Sequence, residues 1–516
     1  MRMTRAEWAF LFALGLGVAL GIAFFQHSPG YMDADYYLAG AVRLAQGRGF
    51  SEIFPWNYLD DFQRLPHPSH GYWMPLASLV AALPMALTGQ LTFSVARLPF
   101  ILLAACVPPL TALLALRLTS RRELALLSGL LAAFSTYQAP FIATIDNFVL
   151  YNLLGASFFL LLTDFSAERA EKNALLLGII AGLMHLARAE GLLWLPLALL
   201  ALFWLLRRAP KKAAAALLTL CLGYLLVMAP WFWRNWREFG ALLAPGGSRA
   251  LWLTSYDQTF LYPASGLTLQ NWLASGAQAI LQTRLWALGQ NLATAFAAQG
   301  GILLSPLILL GFWRLRRHPV VIFGGLAWLG LLLFMSLLFP FAGVRGSFFH
   351  SGAALMPLGW ALAPLGLDAL VSAARARGWF DPHAFRVFRL MLLALNAALT
   401  LVLLNFRVIN TPWDASALLY ARAEETLQRL NAPPEIPVMV ANPPGFYLAG
   451  GRAAIALPVA KQPDALQLMK HFGVRYLLLE GDSLTDWPRD LYAQRETDHF
   501  RLTADLGSLR IYEILP

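Results

Sequence analysis

The chain has 516 residues, of which 58% are hydrophobic and 13% are charged, whereas a soluble globular domain has roughly 45–50% apolar and about 25% charged residues. This composition excludes an ordinary cytosolic enzyme. The net charge is +10, but the basic residues form short tracts between long apolar runs, which is typical of membrane topology signals rather than of a nucleic-acid surface. Cys106 and Cys221 lie in apolar stretches and offer neither a disulfide framework nor a zinc-binding spacing.

Eleven apolar segments approach the roughly 20 residues that a helix needs to cross a membrane. The first, residues 8–25, follows a short basic N-terminus and ends without a small-x-small cleavage pattern, so we interpret it as an uncleaved helix rather than a signal peptide. The others are residues 94–116, 123–139, 148–163, 174–187, 191–206, 213–230, 300–313, 319–340, 352–371 and 387–407.

A further apolar run, residues 74–88, complicates this count. If it crossed the membrane, every later loop would change sides and the arginines of residues 117–122 would lie outside, against the positive-inside rule. We therefore interpret residues 74–88 as an interfacial or re-entrant helix.

The basic tracts predict the orientation of the eleven segments. With the N-terminus inside, every predicted inner loop carries arginine or lysine, as the positive-inside rule requires. These residues are Arg117, Arg121, Arg122, Arg169, Lys172, Arg207, Arg208, Lys211, Lys212, Arg314, Arg316, Arg317, Arg375, Arg377, Arg386 and Arg389. An odd number of crossings places the C-terminus outside, together with two long outer loops, residues 26–93 and 231–299. We expect a multi-pass protein of the plasma membrane with a cytoplasmic N-terminus.

From about residue 408 the sequence resembles a soluble module. A helical pattern over residues 415–430 is followed by a short strand candidate at 438–441, a helix near 464–472, an apolar run at 474–479 and a strand pair at 500–506 and 509–514. No phosphate-binding glycine motif is present. The predicted fold is an all-α polytopic membrane module, residues 1–407, followed by a small extracytoplasmic α/β domain, residues 408–516.

The first outer loop holds the densest polar cluster, with Asp33 and Asp35 close to Tyr37. Asp33, Tyr37 and Ala41 recur every four residues, so the spacing predicts that they share one face of a helix on the membrane surface. Either carboxylate could simply cap this helix. Alternatively, a carboxylate here accepts a proton from an attacking hydroxyl or, with a second one nearby, holds a divalent metal against a phosphate.

Two further charged positions are predicted at helix ends. Asp146 emerges on the same outer face, either as a helix cap or as a second acidic group of a site with Asp33. Arg188 and Glu190 lie in a short turn between two apolar helices, where charges are costly unless they are paired or used. Structural pairing and a functional role are equally compatible with this Arg-x-Glu turn.

Basic residues on the outer face are candidates for binding an anion. Arg234 lies in an aromatic-rich helix end, which indicates an interfacial belt but also allows charge-assisted bonds to a phosphate. Arg345 and His350 begin a helix on the outer face, an arrangement that suits an anion but also fits a snorkelling arginine and a hydrogen-bonded histidine. His67 and His70 are weaker candidates, as metal ligands in a loop.

Several of these motifs together resemble the C-fold glycosyltransferases, the superfamily of protein O-mannosyltransferases and lipid A aminoarabinose transferases. The resemblance covers most of the chain in the same order. It rests on the Asp33-x-x-x-Tyr37-x-x-x-Ala41 loop with Gly47, Gly49 and Phe50, the Gly182 to Gly191 turn, the Pro230-Trp231-x-x-Arg234-Asn235 helix end with Phe239 and Gly240, and the outer C-terminal domain.

The resemblance implies a membrane enzyme that takes a sugar from a polyprenyl-phosphate donor on the outer face and gives it to a lipid, glycan or protein acceptor. It implies that Asp33 is the catalytic carboxylate and Asp146 the second acidic position. The hypothesis adds Asp35 as a catalytic or metal partner, and Arg234, Arg345 and His350 as groups that hold the donor phosphate. The adjacent acidic pair common in the family is replaced here by Asp33 and Asp35 with an alanine between them. A divalent metal, Mg²⁺, Mn²⁺ or Zn²⁺, held by Asp33, Asp35 and Asp146 is the candidate cofactor.

The alternative function is a transporter or flippase of lipid-linked glycans, in which intramembrane charges line a path. That class predicts inverted repeats and broken helices in matching halves, and the sequence contains neither. An enzyme agrees better with an outward-facing site, because such a site has no access to cytosolic nucleotide sugars and needs a donor delivered by lipid.

Overall fold

The computed structural model describes residues 3–166, 168–381, 383–481, 486–494 and 496–515. Its N-terminal part is mainly helical. The helices of this membrane module are α1 Arg5–Phe24, α2 Met32–Ala45, α3 Leu76–Thr88, α4 Phe93–Ala96, α5 Leu98–Thr119, α6 Arg122–Ala133, α7 Asn147–Thr163, α8 Ala170–Ala187, α9 Trp194–Leu205, α10 Pro210–Phe239, α11 Pro245–Ala250, α12 Leu269–Ala274, α13 Ala277–Thr294, α14 Ser305–Arg314, α15 Pro319–Leu333, α16 Pro340–Ala342, α17 Phe348–Gly352, α18 Met356–Ala376 and α19 Ala384–Leu404.

Seven helical stretches of the described chain are long and apolar enough to cross a membrane. They are Arg5–Phe24, Phe93–Thr119, Ala170–Ala187, Pro210–Phe239, Pro319–Leu338, Pro340–Ala376 and Ala384–Ile409. Each coincides with one of the eleven predicted segments, so the chain is a multi-pass membrane protein. The other four predicted segments contain shorter helices, namely α6, α7, α14 and the stretch Ala189–Leu205 that includes α9.

The apolar run of residues 74–88 contains α3, which has 13 residues. At 1.5 Å per residue α3 is roughly 20 Å long, less than the roughly 30 Å of the hydrocarbon core. It packs beside α2 and contributes Ala77, Ala81 and Met85 to the same buried apolar cluster as Tyr36 and Tyr37. α3 is therefore too short to span by itself.

Helices α8 and α10 pack closely because each has a glycine at the contact. A Cβ atom at Gly178 would lie 2.0 Å from the Leu220 carbonyl oxygen, and one at Gly223 would lie 2.4 Å from the Leu175 carbonyl oxygen. Small residues permit such an approach between membrane helices. This contact fixes the relative position of two helices that line the cavity described below.

The C-terminal part forms a small α/β domain with a five-stranded sheet. Its strands are β3 Val438–Val440, β4 Ala454–Ala456, β5 Tyr476–Glu480, β6 Phe500–Asp505 and β7 Leu509–Ile514, in the order β4-β3-β5-β7-β6. The β4-β3-β5 pairs are parallel, and the β5-β7 and β7-β6 pairs are antiparallel. The helices are α20 Ala415–Arg429, α21 Pro443–Gly450, α22 Gln462–Phe472 and α23 Asp486–Tyr492.

All the elements predicted for the C-terminal part are present. Three further short elements were not predicted. The sequence indicated α20, α22, β3, β5 and the β6-β7 pair within a few residues of their ends. It gave no signal for α21, β4 or α23, because these elements have three to eight residues, too few for a clear periodicity.

The sheet of the C-terminal domain is bonded to both of the long loops predicted to be outer, residues 26–93 and 231–299, which keep the names first and second outer loop. The main-chain amides of Ala454 and Ala456 donate to the carbonyl oxygens of Ile53 and Pro55, at 2.9 and 3.2 Å. On the other loop, Val459 donates to the Phe260 carbonyl oxygen at 2.8 Å. Within the first loop, a two-residue pair joins β1 Ser51–Glu52 to β2 His67–Pro68. The outer loops and the domain therefore fold as one unit.

Candidate active site

The predicted face of α2 is present and points toward the other candidate residues. Tyr31 precedes α2 and no side chain caps the helix, so neither Asp33 nor Asp35 is a cap. The Tyr37 hydroxyl accepts a hydrogen bond from the side-chain amide of Asn147 at 2.8 Å. Asp33, one turn earlier on the same face, interacts electrostatically with Asp146, His350 and Arg188. The fold thus assembles Asp33 with residues from three other helix ends.

Both carboxylate oxygens of Asp146 accept hydrogen bonds from neighbouring groups. One carboxylate oxygen, Oδ2, accepts from the Tyr31 hydroxyl and lies 2.9 Å from His350 Nε2. The other oxygen, Oδ1, accepts from the main-chain N–H of Asn147, so Asp146 is also the N-cap of α7. The side chain has 1% of its surface exposed. Asp146 is therefore a helix cap, one of its two expected roles, and its membership of an acidic site stays a prediction.

His350 is oriented by three contacts. Its Nδ1 lies 2.9 Å from the Gly346 carbonyl oxygen, its Nε2 faces Asp146, and its ring stacks on Phe148 with centroids 4.2 Å apart. A carbonyl and a carboxylate are both acceptors, so the geometry favours a ring that donates from both nitrogens and carries a positive charge. His350 therefore belongs to the Asp146 pair instead of standing free for a phosphate, which corrects its predicted role.

The carboxyl groups of Asp33 and Asp146 have opposite pKa shifts. Burial raises the pKa of Asp33 to about 6, an effect that the Asp146 charge reinforces and the His350 and Arg188 charges oppose. Burial acts in the same direction on Asp146, but the positive His350 and the hydrogen bonds from His350, Tyr31 and Asn147 outweigh it and hold the pKa of Asp146 below its ordinary value. Such divergence separates a proton acceptor from a permanently ionised neighbour.

Arg188 and Glu190 form a buried ion pair between α8 and α9, and each has 6% of its surface exposed. Glu190 also accepts from the Ser351 hydroxyl, and Arg188 Nη2 donates to Ser347 Oγ at 3.0 Å. The remaining terminal nitrogen, Arg188 Nη1, is buried without a hydrogen-bond partner. A buried guanidinium N–H without a partner is costly, so this group is available to an anion.

A cavity of about 280 Å³ lies beside Arg188. Most of its wall is apolar, with Arg188, Glu190, His185, Asn235, Ser248 and Ser347 as polar exceptions. The apolar wall comes from α2, the loop after β2, α8, α10, residues 243–251 and the segment before α17. It includes Tyr37, Tyr72, Trp73, Met74, Met228, Trp231, Phe232, Leu243, Leu251, Phe334, Met335 and Phe339. Its shape and chemistry suit an apolar chain that ends in a negatively charged group.

Two tyrosines connect this cavity with Asp33. Tyr72 lines the cavity, and Tyr256 of the second outer loop carries the Arg345 guanidinium 4.5 Å above its ring. Asp33 interacts electrostatically with both tyrosines. Arg345, predicted as a phosphate ligand, is exposed at this position. The structure thus brings Asp33, Asp146, His350 and Arg345 into one region.

Asp35 and Arg234 do not join this group. Asp35 is buried on the opposite side of α2 and accepts from the Asn442 amide at 2.8 Å, and burial raises its pKa to about 7. Positions two apart on a helix do not face each other. Arg234 donates to the Ser69 carbonyl oxygen at 2.6 Å and stacks on Trp231 and Phe239. It fastens the first outer loop, so its predicted phosphate contact is not supported.

The described residues do not provide a site for a metal ion. No group of three or more His, Cys, Asp or Glu side chains in these parts of the chain is placed to hold one. Asp35 is turned away from Asp33, and both oxygens of Asp146 already accept from Tyr31, His350 and Asn147. The predicted three-carboxylate metal site is therefore not formed by the described residues, because Asp33 and Asp35 lie on opposite sides of α2 and both oxygens of Asp146 already accept hydrogen bonds.

Sequence reasoning left Arg188 and Glu190 undecided and did not identify Tyr31, Tyr72 or Tyr256. The signal for Arg188 was its position between two apolar helices, where a charge usually has a function. The tyrosines gave no comparable signal, since aromatic residues are common at membrane interfaces.

No family model matches this chain, and no curated protein matches it in sequence. Solved structures do resemble it. ArnT from Cupriavidus metallidurans bound to undecaprenyl phosphate has a TM-score of 0.59 at 12% identity, covering 99% of this chain and 98% of that one. The Archaeoglobus fulgidus oligosaccharyltransferase AglB with an inhibitory peptide and a dolichol-phosphate has 0.53 at 12%, covering 92% and 69%. Its complex with Zn and sulfate has 0.55 at 12%, covering 91% and 68%.

These similarities show the fold. The chain has the C-fold of membrane glycosyltransferases that its sequence motifs predicted, with a helical membrane module and a small C-terminal α/β domain. At 12% identity the likeness identifies no substrate and no catalytic residue.

Proposed function

We propose that the chain is a membrane glycosyltransferase that moves a sugar from a polyprenyl-phosphate donor to an acceptor hydroxyl or amine on the outer face of the membrane. The observation that carries this proposal is the unpartnered Arg188 Nη1 in a residue that lines an apolar cavity, with Asp33 close enough to interact with that guanidinium. Two of the similar structures, which hold undecaprenyl phosphate and dolichol-phosphate, agree with it.

The donor lipid fits the cavity in one orientation. Its phosphate binds to Arg188 through charge-assisted hydrogen bonds, which are stronger than those between neutral groups. The isoprenoid chain lies against the apolar wall between α8 and α10. Arg345 above Tyr256 is the second cation on this path and attracts the phosphate from the outer side. The sugar then projects toward Asp33.

Asp33 acts as the general base. A carboxylate with a pKa of about 6 is ionised at neutral pH yet more basic than an ordinary aspartate, which suits proton transfer. The acceptor O–H or N–H gives its proton to Asp33, and its oxygen or nitrogen forms a bond to the anomeric carbon of the sugar. The bond from that carbon to the phosphate oxygen breaks, and the polyprenyl phosphate leaves with the electron pair.

Asp146 and His350 serve as a fixed electrostatic pair beside the base. Since Asp146 keeps its negative charge, it favours a proton on Asp33 once transfer has occurred, and His350 limits this effect in the resting state. Arg188 stabilises the charge that develops on the departing phosphate. Arg188 thus supplies the positive charge that the departing phosphate needs, and no step of this proposal uses a metal ion.

The test is sugar transfer by the purified protein in liposomes with a set of radiolabelled polyprenyl-phosphate monosaccharides. We expect wild type and the exposed control Asp464→Asn to consume one donor, and Asp33→Asn to lose about 100-fold or more of this activity. Full activity of Asp33→Asn would contradict the assignment of the base. Movement of donors across the bilayer without consumption of any donor would instead support the flippase.

A further inference from the structure

We propose that Asn442 of the C-terminal domain is a positioning residue for the reaction, because it holds α2 from behind through Asp35 and thereby places Asp33. This inference rests on the proposed role of Asp33 as the base. It gives the C-terminal domain a part in catalysis that neither the fold nor the sequence motifs assign to it.

The contact between the two parts of the chain is a partly buried hydrogen bond. Asn442 Nδ2 donates to Asp35 Oδ2 at 2.8 Å, and Asn442 Oδ1 accepts from the Gly445 amide at 3.1 Å, which caps α21. The amide is thus held by its own helix while it binds the carboxylate. A Cβ atom at Gly445 would lie 2.9 Å from Asp35 Oδ2, so the backbone of α21 approaches closely as well.

A second contact fixes the residues that lead into α2. Asp414 Oδ1 accepts from the main-chain amides of His27 and Ser28 at 3.0 and 2.7 Å, and Trp413 Nε1 donates to the Ser28 carbonyl oxygen at 2.9 Å. The Trp413 ring also lies where a Cβ atom at Gly30 would be, 2.2 Å away. The C-terminal part therefore holds α2 both at its beginning and along its rear face.

The α2–α21 interface is also packed by aromatic residues. Tyr447 of α21 lies against Phe54 with ring centroids 4.7 Å apart, and it shares a buried cluster with Tyr36 and Tyr37 of α2. The opposite face of α2 is bonded to the membrane module where Tyr37 accepts from Asn147. α2 is thus held between the two parts of the chain, and the Asn442 bond is the polar contact on the rear side of its first turn.

The consequence for catalysis follows from geometry. Asp33 precedes Asp35 by two residues in the first turn of α2, so any rotation of this turn about the helix axis moves both carboxylates. A displacement of about 1 Å can cost about 100-fold in rate. No residue of α21 lines the cavity, and the α2 residue that does, Tyr37, lies beyond the first turn and is bonded to Asn147. Donor binding is therefore expected to depend on Asn442 much less than the chemical step does.

The experiment compares kcat and donor KM for Asn442→Ala, for the exposed control Gln467→Ala on α22, and for the reciprocal double variant Asp35→Asn with Asn442→Asp. We expect kcat of Asn442→Ala to fall about 10- to 100-fold while its donor KM stays within about twofold of wild type. The double variant restores an amide-to-carboxylate bond, and aspartate also caps a helix, so most of the lost kcat should return.

Two results would overturn the inference. One is an unchanged kcat in Asn442→Ala; the other is a loss that the double variant does not restore, which would indicate a general structural role. Hydrogen exchange over residues 31–45 provides a readout that does not depend on the function of Asp33. Faster exchange there in Asn442→Ala is expected, and unchanged exchange would contradict the contact. If Asp33→Asn remains active while this exchange is accelerated, the proposed base is wrong but the contact is real.

Discussion

Asp33 and Asp35 lie two residues apart on α2 but face opposite parts of the molecule. Asp33 interacts with the charges of Asp146, His350 and Arg188, whereas Asp35 accepts from Asn442 of the C-terminal domain. The two acids, which one residue separates in the sequence, therefore have different surroundings. One faces the site, and the other faces the domain that supports the helix.

The pH dependence of the rate follows from the raised pKa of Asp33. Since a base must be ionised, kcat/KM should rise with pH and reach half of its maximum near pH 6, where the pKa of this group lies. Transfer measured from pH 4 to pH 8 in liposomes would show this midpoint. A rate that stays on its plateau down to pH 4.5 would mean that an ordinary carboxylate, or none, limits the reaction.

Variants of Arg188 and Glu190 should have separate effects on the stability of the protein and on its affinity for the donor. Arg188→Gln leaves the Glu190 carboxylate buried without its ion partner, so we expect about 3–5 kcal/mol of destabilisation. The double variant Arg188→Gln with Glu190→Gln removes both charges and should recover most of this stability. Its donor KM should still be raised more than about tenfold, as expected for a lost phosphate contact. Thermal unfolding and transfer kinetics measure the two effects, and a normal donor KM in the stable double variant would exclude Arg188 from the phosphate site.

Removal of divalent metal ions should leave the activity unchanged. The members of the predicted metal site do not converge, since Asp35 faces Asn442 and Asp146 already accepts three hydrogen bonds. Transfer by protein treated with a chelator and passed over a desalting column should match that of untreated protein. Activity that is lost on this treatment and returns with Mg²⁺, Mn²⁺ or Zn²⁺ would show that substrate or a rearrangement completes a metal site.

His67 should make the first outer loop sensitive to alkaline pH. Burial would lower the pKa of His67, but Asp60 at 3.1 Å and Glu52 at 3.7 Å outweigh it and raise that pKa to about 9. Because the folded pKa exceeds the unfolded one, the stabilisation is complete below about pH 6.5 and disappears as the pH rises through 9. It amounts to roughly 3 kcal/mol at most. The unfolding temperature in detergent should fall between pH 7 and pH 10, and His67→Gln should flatten this dependence.

The α8–α10 contact should be intolerant of a larger side chain. In Gly178→Val the added atoms would meet the Leu220 carbonyl, and overpacking of this kind costs about 1–3 kcal/mol. Since α8 leads to Arg188 and α10 lines the cavity, donor KM should rise as well. Gly17→Ala on α1 is the control, because a Cβ atom there meets nothing within 4 Å. If the two variants had the same stability and the same donor KM, the helices would be able to separate without loss of the cavity.

The sequence predicts those parts of the site that depend on local spacing. The interval of four residues from Asp33 to Tyr37 predicts their common face, and the exit of a helix at Asp146 predicts its outward position. The partner of Asp35 is 407 residues away in the chain, so no local pattern distinguishes it from Asp33. Arg234 presents a similar problem: its carbonyl partners lie in the first outer loop, and only the fold shows that they satisfy it.

The fold is predicted well where helices are long and less well at the ends of short helices. Long apolar helices and basic tracts are strong periodic signals, so the seven long helices coincide with predicted segments. The shorter helices α6 and α14 are stabilised by their neighbours rather than by their length. Their predicted segments, 123–139 and 300–313, extend into non-helical or 3₁₀ turns, because hydrophobicity alone does not mark where a buried helix ends.

The hydrogen bonds from Ala454 and Ala456 to Ile53 and Pro55 also impose an order of events during biosynthesis. β4 is an edge strand of its sheet, and the first outer loop covers that edge. The loop leaves the ribosome long before its partner strand is made, because the helices α3 to α21 lie between them in the chain. Until then the loop has unpaired backbone groups, and a truncated chain that stops before β4 would expose them permanently. Such fragments are therefore expected to be recognised as unfolded and degraded, even when all of their membrane helices are inserted.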